Sequence, residues 1–146
     1  MITIILSVLI VVLDRLTKNI IAGSMTLGES DTIIDGILDI TYIHNDGAAF
    51  SMFKGQQTAL ICFTIVVMIA ILAYMIIYKK SISALEKFSL ILIIGGGIGN
   101  LIDRVMCGYV VDFINIHIIP VFNVADIAIT CGCLLFAISV FVPHKK

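Results

Sequence analysis

Apolar residues dominate four stretches of the chain, and charged residues gather at their ends. Residues 59 to 78 run without a charge, Gly or Pro and close on Lys79 and Lys80, as a helix crossing about 30 Å of hydrocarbon requires. A span over 88–106 carries Gly95, Gly96, Gly97, Gly99 and Asn100, and one over 122–142 carries Asn123 and Asp126 near its start. The pattern therefore predicts spans at 2–22, 58–78, 88–106 and 122–142. The first apolar run reaches Leu13, is broken by Asp14, Arg15 and Lys18, and resumes at Ile20. With no basic residues ahead of it and no A-x-A-like site after it, it reads as a retained helix rather than a cleaved signal.

Between the first two spans the pattern changes period. Ile33-Ile34, then Asp35-Gly36, then the β-branched stretch 37–43 predict a hairpin on a two-residue turn, with a second turn at Asp46-Gly47. The expected fold is a mainly α membrane protein. It would be one domain over 1–146, a four-transmembrane-helix bundle with a small extracytoplasmic β-sheet in segment 24–56.

Composition strengthens this picture. Hydrophobic residues make up 60% of the chain and charged residues 13%, with a net charge of −1, which excludes a soluble domain and the basic footprint of a nucleic-acid binder. Lys79, Lys80 and Lys87 lie between the second and third spans, and Lys145 and Lys146 follow the fourth. The positive-inside rule puts those ends, and with them both termini, in the cytoplasm. Cys62, Cys107, Cys131 and Cys133 have no metal-ligand spacing and read as small packing residues; the paired-histidine motif of zinc proteases is missing, and neither metal nor cofactor is expected.

Polar residues near the outer ends of the spans carry the chemical signal: Asp14, Lys18, Asn100, Asp103, Arg104, Asp112, Asn123 and Asp126. Charges inside spans cost about 2.5–3.5 kcal/mol each at the bilayer centre and tend to mark function. From a cytoplasmic start at Ile2, Asp14 lies roughly 18 Å up the first helix, past the midplane, so all eight residues can share one outer layer. Plain structural uses stay open for each. Asp14 and Lys18 are a favourable i,i+4 pair, Asn123 and Asp126 suit a helix cap, and Asp112 falls in a predicted loop. Asp103 and Arg104 point about 100° apart on a helix, so each needs a partner elsewhere. The glycines allow either close helix packing through Gly95-x-x-x-Gly99 or room for a bound lipid or peptide.

Five motifs resemble the bacterial lipoprotein signal peptidases, the signal peptidase II family. They are Asp14-Arg-Leu-Thr-Lys18, Asn45-Asp-Gly-Ala-Ala-Phe-Ser51, Gly96-Gly-Ile-Gly-Asn100-Leu-Ile-Asp103-Arg104, Gly108-Tyr-Val-Val-Asp112-Phe113 and Phe122-Asn-Val-Ala-Asp126. Each is weak singly; five in order, at spacings that agree with four spans, are specific. The resemblance implies an aspartic endopeptidase of the bacterial cytoplasmic membrane. It would cut prolipoproteins before the diacylglyceryl-modified cysteine, work among membrane lipids as a monomer, and be blocked by the cyclic peptide globomycin. Asp112 and Asp126 would be the catalytic pair, with Asp14, Lys18, Asn45, Gly96, Asn100, Asp103, Arg104, Asn123 and Ala125 shaping and supporting the site. Arg104 and Lys18 are expected to pair with Asp103 and Asp14.

Two carboxylates this close to the membrane suit peptide hydrolysis, because like charges a few ångströms apart cannot both ionise and one proton is then shared. Bringing Asp112 to Asp126 requires the stretch 113–122 to turn back on itself. Phe50 and Met52, beside Ser51, suit either a clamp over substrate or plain interfacial anchoring. Competing readings are a serine/lysine protease using Ser51 with Lys18 or Lys54, and a channel or proton-coupled transporter. The second is disfavoured by the apolar cytoplasmic halves of the spans. A purely structural subunit leaves the acidic cluster without a use.

Overall fold

The computed structural model describes residues 2–47 and 55–141. In chain order it contains helix α1 (Ile2–Ser24), strands β1 (Ser30–Ile34) and β2 (Leu38–Asn45), helices α2 (Gln57–Ile77) and α3 (Ala84–Cys107), strand β3 (Val110–Asn115) and helix α4 (Val124–Phe141). Helices α2, α3 and α4 are each long and apolar enough to cross a membrane. α1 matches them in length, at 23 residues, but carries Asp14, Arg15 and Lys18 in its second half.

α3 is the central helix, packed against α4, α1 and α2. It begins at Ala84 rather than at the expected position 88, because Ser83 and Glu86 form a reciprocal capping box that satisfies exposed N–H groups of the first turn. It ends on Gly108, whose left-handed φ of 78° lets its N–H close on the Arg104 carbonyl. Close approach defines the bundle interior. A Cβ at Gly95 would lie 3.0 Å from Ile10, one at Gly96 would strike the Ala125 carbonyl oxygen, and one at Gly132 would lie 2.7 Å from the Ser89 carbonyl oxygen. The glycine stretch is therefore filled by α1 and α4, and no room remains beside Gly95, Gly96 or Gly99 for a lipid or peptide.

The sheet is antiparallel in the order β1-β2-β3. The β1–β2 hairpin forms as expected, but its turn holds three residues: Ile34 pairs with Leu38, the Ile37 N–H donates to the Ile34 carbonyl at 3.0 Å, and Gly36 takes φ 68°. The third strand contradicts the loop expected around Asp112. β3 pairs along β2, Ile43 opposite Asp112 and Asp39 opposite Asn115, because Val110 to Ile114 can bury a face against the bundle. Tyr42, Val111 and Phe113 form that face, with Ile21 and Met25 at the end of α1 and Val124 at the start of α4 packed on it. The chain then turns back as required: Phe122 and Ile114 exchange backbone hydrogen bonds, at 2.8 and 3.0 Å.

The four cysteines are free and exposed, which corrects their reading as packing residues. Phe50, Ser51, Met52 and Lys54 lie outside the described residues.

Candidate active site

The C-terminal halves of α1 and α3 and the first turn of α4 enclose a buried polar layer. Asp14, Lys18, Asp103, Asp112 and Asn123 are each at most 1% exposed. At the centre, Lys18 Nζ lies 2.8 Å from Asp14 Oδ2 and 2.8 Å from Asp103 Oδ2, and it donates to Asn100 Oδ1 at 3.0 Å. Asp103 has a second cation, the Arg15 guanidinium, on its other oxygen. Its Oδ2 also accepts from the Val111 N–H at 3.3 Å, which ties α3 to β3. Two acids and two bases thus neutralise one another in a place where an uncompensated charge would be costly.

This arrangement corrects one expected pairing. Lys18 does meet Asp14, but Asp103 is served by Arg15 and Lys18, not by Arg104. The reason is the angular one: side chains on adjacent helical positions diverge, and Asp103 faces α1 while Arg104 faces the sheet side. There Arg104 donates to the Gly47 carbonyl at 3.3 Å, and its Nε has no hydrogen-bond partner among the described residues. Arg15 is the member of this charged layer that motif reading overlooked, although it sits inside the first motif.

Asp112 and Asp126 arrive from different elements. Asp112 is on β3, where its Oδ2 accepts from Asn45 Nδ2 at 2.9 Å and its Oδ1 from Asn123 Nδ2 at 2.6 Å. Asp126 is in the first turn of α4, where its Oδ1 accepts from Asn100 Nδ2 at 2.8 Å. Asn123 caps α4 reciprocally: its Oδ1 accepts from the Asp126 N–H at 3.0 Å, and Asp126 Oδ2 accepts from the Asn123 N–H at 3.2 Å. These two residues therefore cap α4 and belong to the hydrogen-bonded layer at once. Asn123 Nδ2 also reaches Asn100 Oδ1 at 3.2 Å, so a continuous hydrogen-bonded path runs from Lys18 through Asn100 and Asn123 to both carboxylates.

Ala125, Gly99 and Asn45 stand around this path. The Ala125 N–H donates to Asp14 Oδ1 at 3.0 Å. A Cβ at Gly99 would lie only 2.6 Å from Asp14 Oδ2 and 3.3 Å from the Ala125 side chain, so both positions demand small residues. Asn45 Oδ1 accepts from the Gly47 N–H at 3.0 Å, which fixes the amide that faces Asp112.

Asp112 and Asp126 open onto one cleft of about 480 Å³, a volume that suits a bound ligand. Asn45, Asn100 and Arg104 form its polar end; Ile119, Pro120, Val121, Phe122, Ile127 and Cys131 are among its apolar walls. Burial, and then the nearby charge of Asp126, push the Asp112 carboxyl up to about 7, against the opposing pull of the Asn45 and Asn123 hydrogen bonds and of Lys18. Burial beside a second carboxylate thus favours the neutral form of Asp112 below about pH 7. No group of His, Cys, Asp and Glu among the described residues could hold a metal ion.

Comparison with known proteins converges on one family. The family model described as Signal peptidase (SPase) II matches residues 6–142. A lipoprotein signal peptidase of Caldicellulosiruptor bescii is 50% identical over 124 residues, covering 85% of this chain and 80% of the relative. One from Latilactobacillus sakei is 39% identical over 144 residues, covering 97% and 95%. A solved bacterial membrane enzyme, 35% identical, superposes with a TM-score of 0.89 over 99% of this chain and 93% of its own. The chain, with two carboxylates lining one cleft at the end of an apolar bundle, belongs to the signal peptidase II family.

Proposed function

We propose that this protein is a lipoprotein signal peptidase in which Asp112 and Asp126 activate water. It hydrolyses the peptide bond on the N-terminal side of the diacylglyceryl-modified cysteine of bacterial prolipoproteins and releases the signal peptide. The observation that carries the assignment of residues is the convergence of two carboxylates from β3 and α4 on one cleft, each accepting a hydrogen bond from Asn123, Asp112 from its side-chain amide and Asp126 from its backbone N–H.

Charge balance supports a single shared proton. The Asp14, Asp103, Arg15 and Lys18 group is neutral by itself, so Arg104 is the cation left to the cleft. One proton between Asp112 and Asp126 leaves one negative charge against it. The ionised carboxylate takes a proton from water as the water attacks the scissile carbonyl. The protonated one donates to the carbonyl oxygen and then helps the amine leave. The two titrate as a pair, so the roles belong to the pair and not to either residue at the outset. Asn45 and Asn123 hold one carboxylate at both oxygens and leave it no freedom to rotate away.

The location stems from the substrate. Its acyl chains stay in the bilayer, so the modified cysteine sits near the headgroups, and the bond to be cut must be met there. α1 is the fourth span in this reading: at 23 residues it is about 34 Å long, and its charges point inward to partners on α3 and α4. Both termini and the α2–α3 turn are then cytoplasmic, the sheet and cleft lie at the outer surface of the cytoplasmic membrane, and the enzyme acts as a monomer without a cofactor. A globomycin-type cyclic peptide would occupy the same cleft.

The test is cleavage of a synthetic diacylglyceryl-modified peptide by detergent-purified protein. Asp112→Asn and Asp126→Asn should each lower the rate by about 100- to 10,000-fold while the thermal unfolding profile stays cooperative. Cleavage at the wild-type rate by either variant removes that residue from the pair. Loss of cleavage on Ser51→Ala with Asp112→Asn still active would transfer the chemistry to a serine.

A further inference from the structure

The loop after β3 holds an unusual backbone. His117 is the one non-glycine described residue with a positive φ, 64°. The Ile118 N–H donates to the Ile116 carbonyl at 2.9 Å across it. That bond closes a γ-turn of the rare, strained hand, which a side chain opposes. Two contacts hold it. The His117 N–H donates to Asn115 Oδ1 at 3.0 Å, and the imidazole Nε2 lies 3.2 Å from Asp39 Oδ2 on β2. Asp39 is the register partner of Asn115, so the loop is fastened to the sheet at the point where β3 ends. The cleft wall begins directly after this turn. Ile119, Pro120, Val121 and Phe122 all line the space that Asp112 and Asp126 face, and Phe122 is pinned to Ile114 at the far end of the excursion.

From this placement we propose that His117 and Asp39 are positioning residues for the substrate cleft. They fasten the turn that sets the Ile119–Val121 wall at a fixed distance from the carboxylate pair. The reversal from β3 to α4 is anchored twice: once by the Phe122–Ile114 bridge and once by the His117–Asp39 contact. Between the two anchors lie the wall residues, whose apolar side chains meet the apolar part of the peptide. Cutting the second anchor leaves the carboxylates and their asparagines untouched, since none of them contacts His117 or Asp39. The turn then relaxes toward an unstrained backbone and the wall moves. The loss falls on substrate binding and not on the chemical step. A neutral imidazole can donate to either an aspartate or an asparagine oxygen, so the contact survives Asp39→Asn and is destroyed by Asp39→Ala.

This rests on the peptidase reading, and the test separates the two. Steady-state cleavage of the lipidated peptide should show KM raised about three- to five-fold in Asp39→Ala, the loss expected of a half-exposed pair, with kcat nearly unchanged. Asp39→Asn should restore KM. His117→Gly, which tolerates the turn but loses the ring, should raise KM without lowering the unfolding temperature. In parallel, binding of a fluorescent form of the same peptide is measured on Asp112→Asn protein with and without Asp39→Ala. Weaker binding in the double variant supports the positioning role even if the wild type cuts nothing, an outcome that would sink only the peptidase reading. An unchanged KM and unchanged binding in Asp39→Ala, or a fall in kcat at constant KM, overturns the positioning role.

Discussion

Helix α2 and the seam of α1, α3 and α4 are built on opposite plans. Along α2 the large side chains point away from the protein: Phe63, Val66, Ile69 and Ile76 are all more than 60% exposed, and Leu60 is its buried residue. The seam buries Asp14, Lys18, Asn100 and Asp103, none more than 5% exposed, and closes around glycines. In lipid an apolar side chain gains little by leaving the bilayer for another helix, so hydrophobicity cannot decide which helix faces pair. Small residues and internally satisfied polar groups decide it instead. The seam is therefore also where a reactive site can stand: the groups that specify the packing are the groups that can hold a proton.

The sharpest way to break this contrast is to remove the central cation. Lys18→Met leaves Asp14 short of its partner and Asp103 with Arg15 alone. It should destabilise the protein by about 3–5 kcal/mol, read as a fall in the denaturant midpoint of the purified protein, with cleavage lost as a consequence. An unchanged midpoint would mean that the layer is not held by its charges. Close packing is tested next. Gly96→Ala puts a methyl group onto the Ala125 carbonyl oxygen and 2.8 Å from Ile129 Cγ1 and should cost about 1–3 kcal/mol. Gly97→Ala, one residue away, meets the Met68 sulfur at an ordinary 3.6 Å and should be neutral or gain from better helix propensity.

A pH series sharpens the same contrast from the chemical side. Asp112 holds its proton up to about 7 in the folded protein, against 3.8 as its ordinary value. Between those values the native state binds a proton that the unfolded chain has released. The stability this contributes is complete below about 3.8 and is lost as pH rises through about 7. Asp112→Asn should flatten that slope. Cleavage should decline along with it above about 7 as the shared proton leaves the pair. The smallest effect belongs to α2: Ile69→Ala, on the lipid-facing side, should shift the unfolding free energy by less than about 0.5 kcal/mol. A large loss there would show that α2 is held by contacts other than those with α3.

Much of this was legible in the residues because the membrane enforces it. Runs of apolar side chains long enough to cross hydrocarbon, interrupted only at one end by charge, locate the helices within a few residues, and Asp35-Gly36 marks the hairpin. The motif residues also come together as their order implies: Asp14 with Lys18, and Asn123 and Asp126 across the first turn of α4, are local pairs whose spacing on a helix dictates contact. Features set by partners distant in the chain were hidden. β3 escaped because Val110 to Ile114 is a short run broken by Asp112 and is a strand only when β2 lies beside it. Helix geometry says that the adjacent Asp103 and Arg104 point apart, but only the packing of α1 against α3 says that Arg15 is the cation Asp103 meets. His117 was invisible for the same reason, since its contact with Asp39 joins residues far apart in the chain. Local spacing along one helix or one turn is a property of the sequence itself; which face meets which, and so how the two carboxylates are held over a common cleft, is settled by packing among segments that the chain order alone leaves free to choose.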